Sequence, residues 1–128
     1  MNKLYFDGAS QPHKKGAASW GYVFISGAGE KQSSTGNVNP DIPQTNNTAE
    51  YTALIEGLKF CIKNNIDNIT VIGDSQIVIY QMTGKYKIKN PALQILNSEA
   101  QGLVKQLSNI SFSWQRREFN LADAVSRV

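Results

Sequence analysis

The sequence predicts an α/β domain built on a five-stranded mixed sheet, antiparallel in its first part and parallel in its second, flanked by helices. Three observations lead there. In the first third of the chain, short strand-like runs are punctuated by glycines at 8, 16, 27 and 29, the mark of an antiparallel meander. From residue 48 the apolar spacing becomes helical, and strand-like and helical segments then take turns, as in a sheet with helices packed on its faces. No repeat, linker or change of composition interrupts the 128 residues, so a single domain over 1–128 is expected.

Each element has its own warrant. Residues 2–7 form an apolar first strand that runs into Asp7 and then Gly8. Residues 18–26, ASWGYVFIS, form the second, and the polar stretch around 30–38 a third, more exposed one. NPDIPQTNN, at 39–47, holds two prolines and three asparagines and reads as a loop. Thr48 or Asn47 can cap the helix that follows, whose apolar face is Ala49, Ala53, Leu54, Leu58, Cys61 and Ile62; it ends near Asn64-Asn65. ITVIG (69–73) is β-branched enough for a buried central strand and runs into Asp74, with Ser75 placed to cap a short helix, SQIVIYQMTG. After the basic loop KYKIKNP, a helix spans Pro91 to Leu107, proline being tolerated in a first turn. ISFSW (110–114) alternates as a fifth strand, and NLADAVSRV supplies a final helical turn or two.

Composition narrows the function. No apolar run approaches the ~18 to 20 residues of a membrane span, and MNKLYFDG has no secretory h-region, so a cytoplasmic protein with no membrane partner is expected. Cys61 is the only cysteine, which rules out an internal disulfide and a cysteine-cluster metal site; it reads as a buried thiol. The net charge is +3, and basic residues gather at His13-Lys14-Lys15, at Lys85, Lys87 and Lys89, and at Arg116-Arg117. Each cluster alone reads as a solvated loop, but together they suit a polyanionic partner.

Four acids stand apart: Asp7 at the end of the first strand, Glu50 in the first turn of the first long helix, Asp74 at the end of the fourth strand, and Asp123 near the C-terminus. Glu50 alone has an ordinary explanation as a first-turn acid favoured by the helix dipole, and Asp74 alone as a helix cap. Asp7 and Asp123 have none, because clustered carboxylates cost several kcal/mol unless something positive meets them. Converging carboxylates without cysteine or histidine suit a hard cation, Mg²⁺ or Mn²⁺. Two such ions ~3.5 to 4 Å apart are a known device for in-line attack on a phosphodiester.

The segments LYFDGAS, WGYVF, TNNTAEYTALIEGL, VIGDSQIVIYQMTGKYKIKNP and the terminal REFNLAD, in that order over nearly the whole chain, resemble type 1 ribonuclease H in its compact archaeal and bacterial form. The resemblance implies a ribonuclease H-like fold and hydrolysis of the RNA strand of an RNA–DNA hybrid, leaving 5′-phosphate and 3′-hydroxyl ends. It implies two ions, Mg²⁺ or Mn²⁺, held by Asp7, Glu50, Asp74 and Asp123, with Asp7 in the bridging position. Among substrate contacts it places Gly8 and Ser10, Asn46, Asn47 and Gln76 near the minor groove, and Thr45 with Asn47 at a phosphate of the DNA strand. Lys85, Lys87 and Lys89 fall to the backbone and Tyr86 to a sugar. Such contacts position the duplex without reading its sequence, while the RNA 2′-hydroxyl distinguishes the strands.

Two departures from the family matter. Some members carry a histidine before the last aspartate, where this chain has QRREFNLA; Arg117 is the residue placed to take over part of that role, and His13 reads as a solvated turn residue. The family's extra basic helix is also missing, so weaker, more salt-sensitive hybrid binding is expected, by a monomer without an obligatory protein partner. The alternatives are a broader two-metal nuclease that also cuts RNA duplexes and a non-catalytic nucleic-acid module.

Overall fold

The computed structural model describes residues 1–11 and 16–123. His13 and the end of the NLADAVSRV segment lie outside them. Five strands, β1 (Asn2–Gln11), β2 (Ala17–Ile25), β3 (Lys31–Asn37), β4 (Asn68–Gly73) and β5 (Asn109–Trp114), form one sheet of order β3-β2-β1-β4-β5. Pairing is antiparallel for β1–β2 and β2–β3 and parallel for β1–β4 and β4–β5, which is the mixed sheet expected. Among the described residues three α-helices accompany it: α1 (Asn46–Lys63), α2 (Gln76–Met82) and α3 (Pro91–Val104). None of the described helices is long and apolar enough to cross a membrane.

The pleat sorts β1 between two layers. Leu4 and Phe6 join the main core under α1 with Tyr51, Leu54, Leu58 and Cys61, while Tyr5 joins a smaller cluster with Val23, Ile72 and Ala122. Cys61 is buried as expected, and desolvation pushes its thiol up to about 12. α3 starts on Pro91, with the Asn90 carboxamide accepting from the N–H groups of Ala92 and Leu93.

The structure corrects four readings. β1 does not stop at Asp7, and Gly8 is not a turn: pairing with β2 carries β1 on to Gln11, opposite Ala17. What ends near Asp7 is the other neighbour, since the last β1–β4 pair is Tyr5 with Ile72. α1 is capped by Thr45, not by Asn47 or Thr48. Thr45 Oγ1 accepts from the Thr48 N–H and Thr48 Oγ1 from the Thr45 N–H, both at 3.1 Å. Glu50 therefore falls in the second turn, where the helix terminus no longer explains it. α3 ends at Val104 rather than Leu107, because i→i−3 bonds from Gln106 and Leu107 tighten the chain there.

Candidate functional site

β1 runs on past the point where β4 leaves the sheet, which opens a crevice beyond the carboxyl end of β4, the usual place for a site in an open α/β sheet. Asp7 enters it from β1, Glu50 from α1, and Asp74 from the residue after β4. One carboxylate oxygen from each lies within 4.8 Å of the others. Asp7 and Glu50 are only 4% and 6% exposed, and Asp74 is half-buried. Ser75, not Asp74, caps α2, so the helix-cap explanation for Asp74 falls away.

Such a cluster is electrostatically unfavourable by itself. Burial first, and then the facing carboxylates of Asp7 and Asp74, push Glu50 well above the usual carboxylate range; the Gly8 N–H works against them. Burial likewise raises Asp74, opposed by the Asn120 carboxamide and by Arg117, while Asp123 adds to the rise. Glu50 Oε2 is buried without a hydrogen-bond partner among the described residues. Three converging carboxylates, one of them with a buried oxygen unpartnered among the described residues, and no cysteine or histidine beside them, fit a hard divalent cation.

These acids line an open cleft of about 330 Å³ with Gly8, Ala9, Ser10, Asn46, Asn47, Ser75 and Arg117. Gly8 is there for packing: a Cβ on it would meet the Ala49–Glu50 backbone, so the space its missing side chain leaves is taken by α1. Asn46 Oδ1 accepts from the Ser10 N–H at 2.8 Å and ties β1 to the start of α1. Thr45 uses its hydroxyl as the α1 cap. Gln76 is exposed as the first residue of α2.

Asp123 stands beside this group and outside the cluster of three. Its Oδ1 receives Arg117 Nε at 3.0 Å, a contact that raises the Arg117 pKa. Lys85, Tyr86, Lys87 and Lys89 are exposed beyond the far end of α2, a helix roughly 10 Å long, and do not line the cleft. Tyr86 packs edge-on against Tyr80 at 5.1 Å, and Lys85 Nζ lies 5.1 Å from the same ring.

Sequence reasoning passed over Ser75 and Asn120 as parts of this site. Ser75 was legible only as a cap. Asn120 stood in the REFNLAD segment, but nothing in the sequence distinguishes a buried asparagine from a solvated one.

The five-stranded mixed sheet and its helices match the ribonuclease H fold, as three of the solved structures similar to this chain illustrate. Ribonuclease H1 of the halophilic archaeon Halobacterium salinarum matches with a TM-score of 0.88 at 33% identity, over 98% of this chain and 94% of that one. The N-terminal ribonuclease H domain of a Mycobacterium tuberculosis protein matches at 0.87 and 31%, over 98% and 90%. LC11 ribonuclease H1, solved with an RNA/DNA hybrid, matches at 0.85 and 27%, over 99% and 94%.

Residues 5–127 match the family model described as reverse transcriptase-like, and the chain belongs to that family. In sequence it is 36% identical to ribonuclease HI of Halobacterium salinarum over 123 residues, 95% of this chain and 60% of the relative. It is 41% identical to a bifunctional protein of Mycobacterium tuberculosis over 76 residues, 59% of this chain and 21% of that protein. The chain thus spans about a fifth of the mycobacterial relative and 60% of the halobacterial one.

Proposed function

We propose that this chain is an endoribonuclease that hydrolyses the RNA strand of RNA–DNA hybrids, leaving 5′-phosphate and 3′-hydroxyl ends. The observation that carries this is the convergence of Asp7, Glu50 and Asp74, one carboxylate oxygen of each within 4.8 Å of the others, together with a buried Glu50 oxygen that has no hydrogen-bond partner among the described residues. Homology to ribonuclease H1 enzymes, one of them solved on a hybrid, supplies the substrate class. Asp7, Glu50 and Asp74, joined by Asp123, would hold two ions, Mg²⁺ or Mn²⁺. Bound there, such ions would supply a lowered pKa for the attacking water and charge stabilisation for the departing 3′ oxygen.

The protein's own groups do the rest. The rigid β1 and α1 hold Asp7 and Glu50, so the acids are in place before substrate arrives. Asn46, Asn47 and the backbone from Gly8 to Ser10 form the cleft wall that faces the 2′-hydroxyls of the RNA strand, and Gln76 flanks it. Thr45 with Asn47 holds a phosphate of the DNA strand. Lys85, Lys87 and Lys89 engage backbone phosphates farther along the duplex, with Tyr86 along a sugar. Arg117, on the cleft wall, offers a fixed positive charge where other family members place a histidine. We read residues 1–128 as one such domain, acting as a monomer in the cytoplasm.

The test is cleavage of labelled RNA–DNA, RNA–RNA and DNA–DNA duplexes by the protein and by Asp7→Asn, with Mg²⁺, Mn²⁺ or EDTA. Metal-dependent cutting of the hybrid, lost in Asp7→Asn, is the expected result. Equal cutting of RNA duplexes would replace hybrid specificity with a broader nuclease, and binding without cleavage in either metal would leave an inert module.

A further inference from the structure

Asn120 is 5% exposed, and each part of its side chain is engaged. Its Nδ2 donates to the Phe6 carbonyl at 2.9 Å and to Asp74 Oδ2 at 3.3 Å, and its Oδ1 accepts from the Ala122 N–H at 3.0 Å. The three partners fix the orientation of the amide, since a flipped group would set its oxygen against two acceptors and its NH₂ against a donor. The partners lie on three separate segments that carry acids. Phe6 precedes Asp7 on β1, Asp74 follows β4, and Ala122 precedes Asp123.

This contact falls where the sheet gives no help. β1 and β4 stop pairing at Tyr5 and Ile72, so no ladder bond between those strands spans Phe6 and Asp74. Near that point the Phe6 carbonyl and the Asp74 carboxylate share one donor, Nδ2 of Asn120.

We propose that Asn120 is a positioning residue that locks the Asp74 carboxylate to the β1 segment carrying Asp7 and to the turn carrying Asp123, presetting the spacing of the cation site. This rests on the metal-dependent nuclease reading above. A group that holds a ligand in place from behind is worth about 10- to 100-fold in metal affinity.

The test is calorimetric titration of Mn²⁺ into EDTA-stripped, dialysed protein, alongside thermal melts, for wild type, Asn120→Ala and Asn120→Ser. Leu107→Ala serves as the stability control. Leu107 is buried just before β5, whose first residue pairs with the first residue of β4, at the end of the sheet opposite Asp74. Both Asn120 variants are expected to weaken Mn²⁺ binding by about 10-fold or more. Leu107→Ala is expected to lower Tm with Mn²⁺ affinity intact. In an Asp74→Asn background, Asn120→Ala should add little further loss, because its effect runs through Asp74. If Asn120→Ala does not fold, Asn120→Ser, whose hydroxyl tolerates residual water, carries the comparison.

Asn120 variants that lose Tm but keep wild-type Mn²⁺ affinity would overturn this inference and leave the nuclease reading untouched. A wild-type protein that binds no Mn²⁺ and cuts no hybrid would overturn both.

Discussion

Gly8 and Glu50 meet at close quarters: a Cβ built on Gly8 would collide with the Glu50 nitrogen and the Ala49 carbonyl carbon, both backbone atoms. No flexible side chain can give way, so the depth at which α1 seats on β1, and with it the reach of Glu50 toward Asp7, depends on this one missing methyl group. Gly8→Ala is expected to cost about 2 to 3 kcal/mol by overpacking. It should also cut kcat on a hybrid by at least about 10-fold, since misplacing a catalytic group by roughly 1 Å has effects of that size. A denaturant melt and a cleavage time course check both; full activity in Gly8→Ala would mean that the helix reseats without moving Glu50.

Glu50 sets a pH dependence whose sign follows from its burial. In the metal-free protein its pKa lies well above 4.5, raised by desolvation and then by Asp7 and Asp74. Between the unfolded value and the raised folded value the native state holds more protons, so unfolding free energy falls as pH rises. The Asp74 shift has the same sign. Glu50→Gln should therefore match wild type below the ordinary glutamate pKa of about 4.3 and become progressively more stable than wild type, with a higher Tm, as pH rises above it. Melts in EDTA across that range test this. Added Mn²⁺ should stabilise wild type more than the variant, and an advantage of Glu50→Gln that shrinks with rising pH would contradict the assignment.

How much of this was legible beforehand depends on what each residue's neighbours were. The succession of strands and helices along the chain followed from periodicity, because β-branched runs such as ITVIG and the α1 apolar face report their own burial. Asp7 drew notice as an acid after an apolar run, but for a mistaken reason: β1 continues to Gln11, and it is β4 that leaves. Strand pairing is a long-range property, and LYFDGAS contains no record of where its partner stops. The Thr45 cap was hidden among four polar residues that could each cap, TNNT, and only the reciprocal Thr45–Thr48 bonds select one. That choice moved Glu50 out of the first turn and removed its ordinary explanation. Asn120 depended on two partners far away in sequence, Phe6 and Asp74, which periodicity cannot see.

The lysines of the 85–89 loop sit about one short helix from the acids, which predicts a split between binding and chemistry. Replacing Lys85, Lys87 and Lys89 together with alanine should raise KM for a hybrid with little change in kcat. Each lost phosphate contact should reduce the slope of log affinity against log salt by roughly 0.9. Hybrid binding measured across a salt series tests this, and an unchanged slope would return these residues to the role of a solvated loop.

Arg117 makes the least obvious prediction, because its guanidinium has two opposed effects on a cation site. It holds Asp123 Oδ1 at 3.0 Å, and its charge is felt by Asp7 and Asp74 as well. As a positive charge beside the carboxylates, it competes with an incoming cation; as a fixed partner of Asp123, it orients a fourth ligand. The guanidinium is more than half exposed, so solvent screens its repulsion, but the orienting bond is equally solvated. Competition should win, since Asp7, Glu50 and Asp74 already bring three carboxylate oxygens within 4.8 Å of one another without Asp123. Arg117→Met is then expected to tighten Mn²⁺ binding about two- to five-fold at low ionic strength, with the gain fading in about 0.5 M salt. Its kcat on the hybrid should fall, because the fixed charge beside the scissile phosphate is gone. Calorimetry at two salt concentrations, paired with cleavage rates at saturating Mn²⁺, separates the effects. Weaker Mn²⁺ binding in Arg117→Met would show instead that the arginine holds Asp123 in place as a ligand.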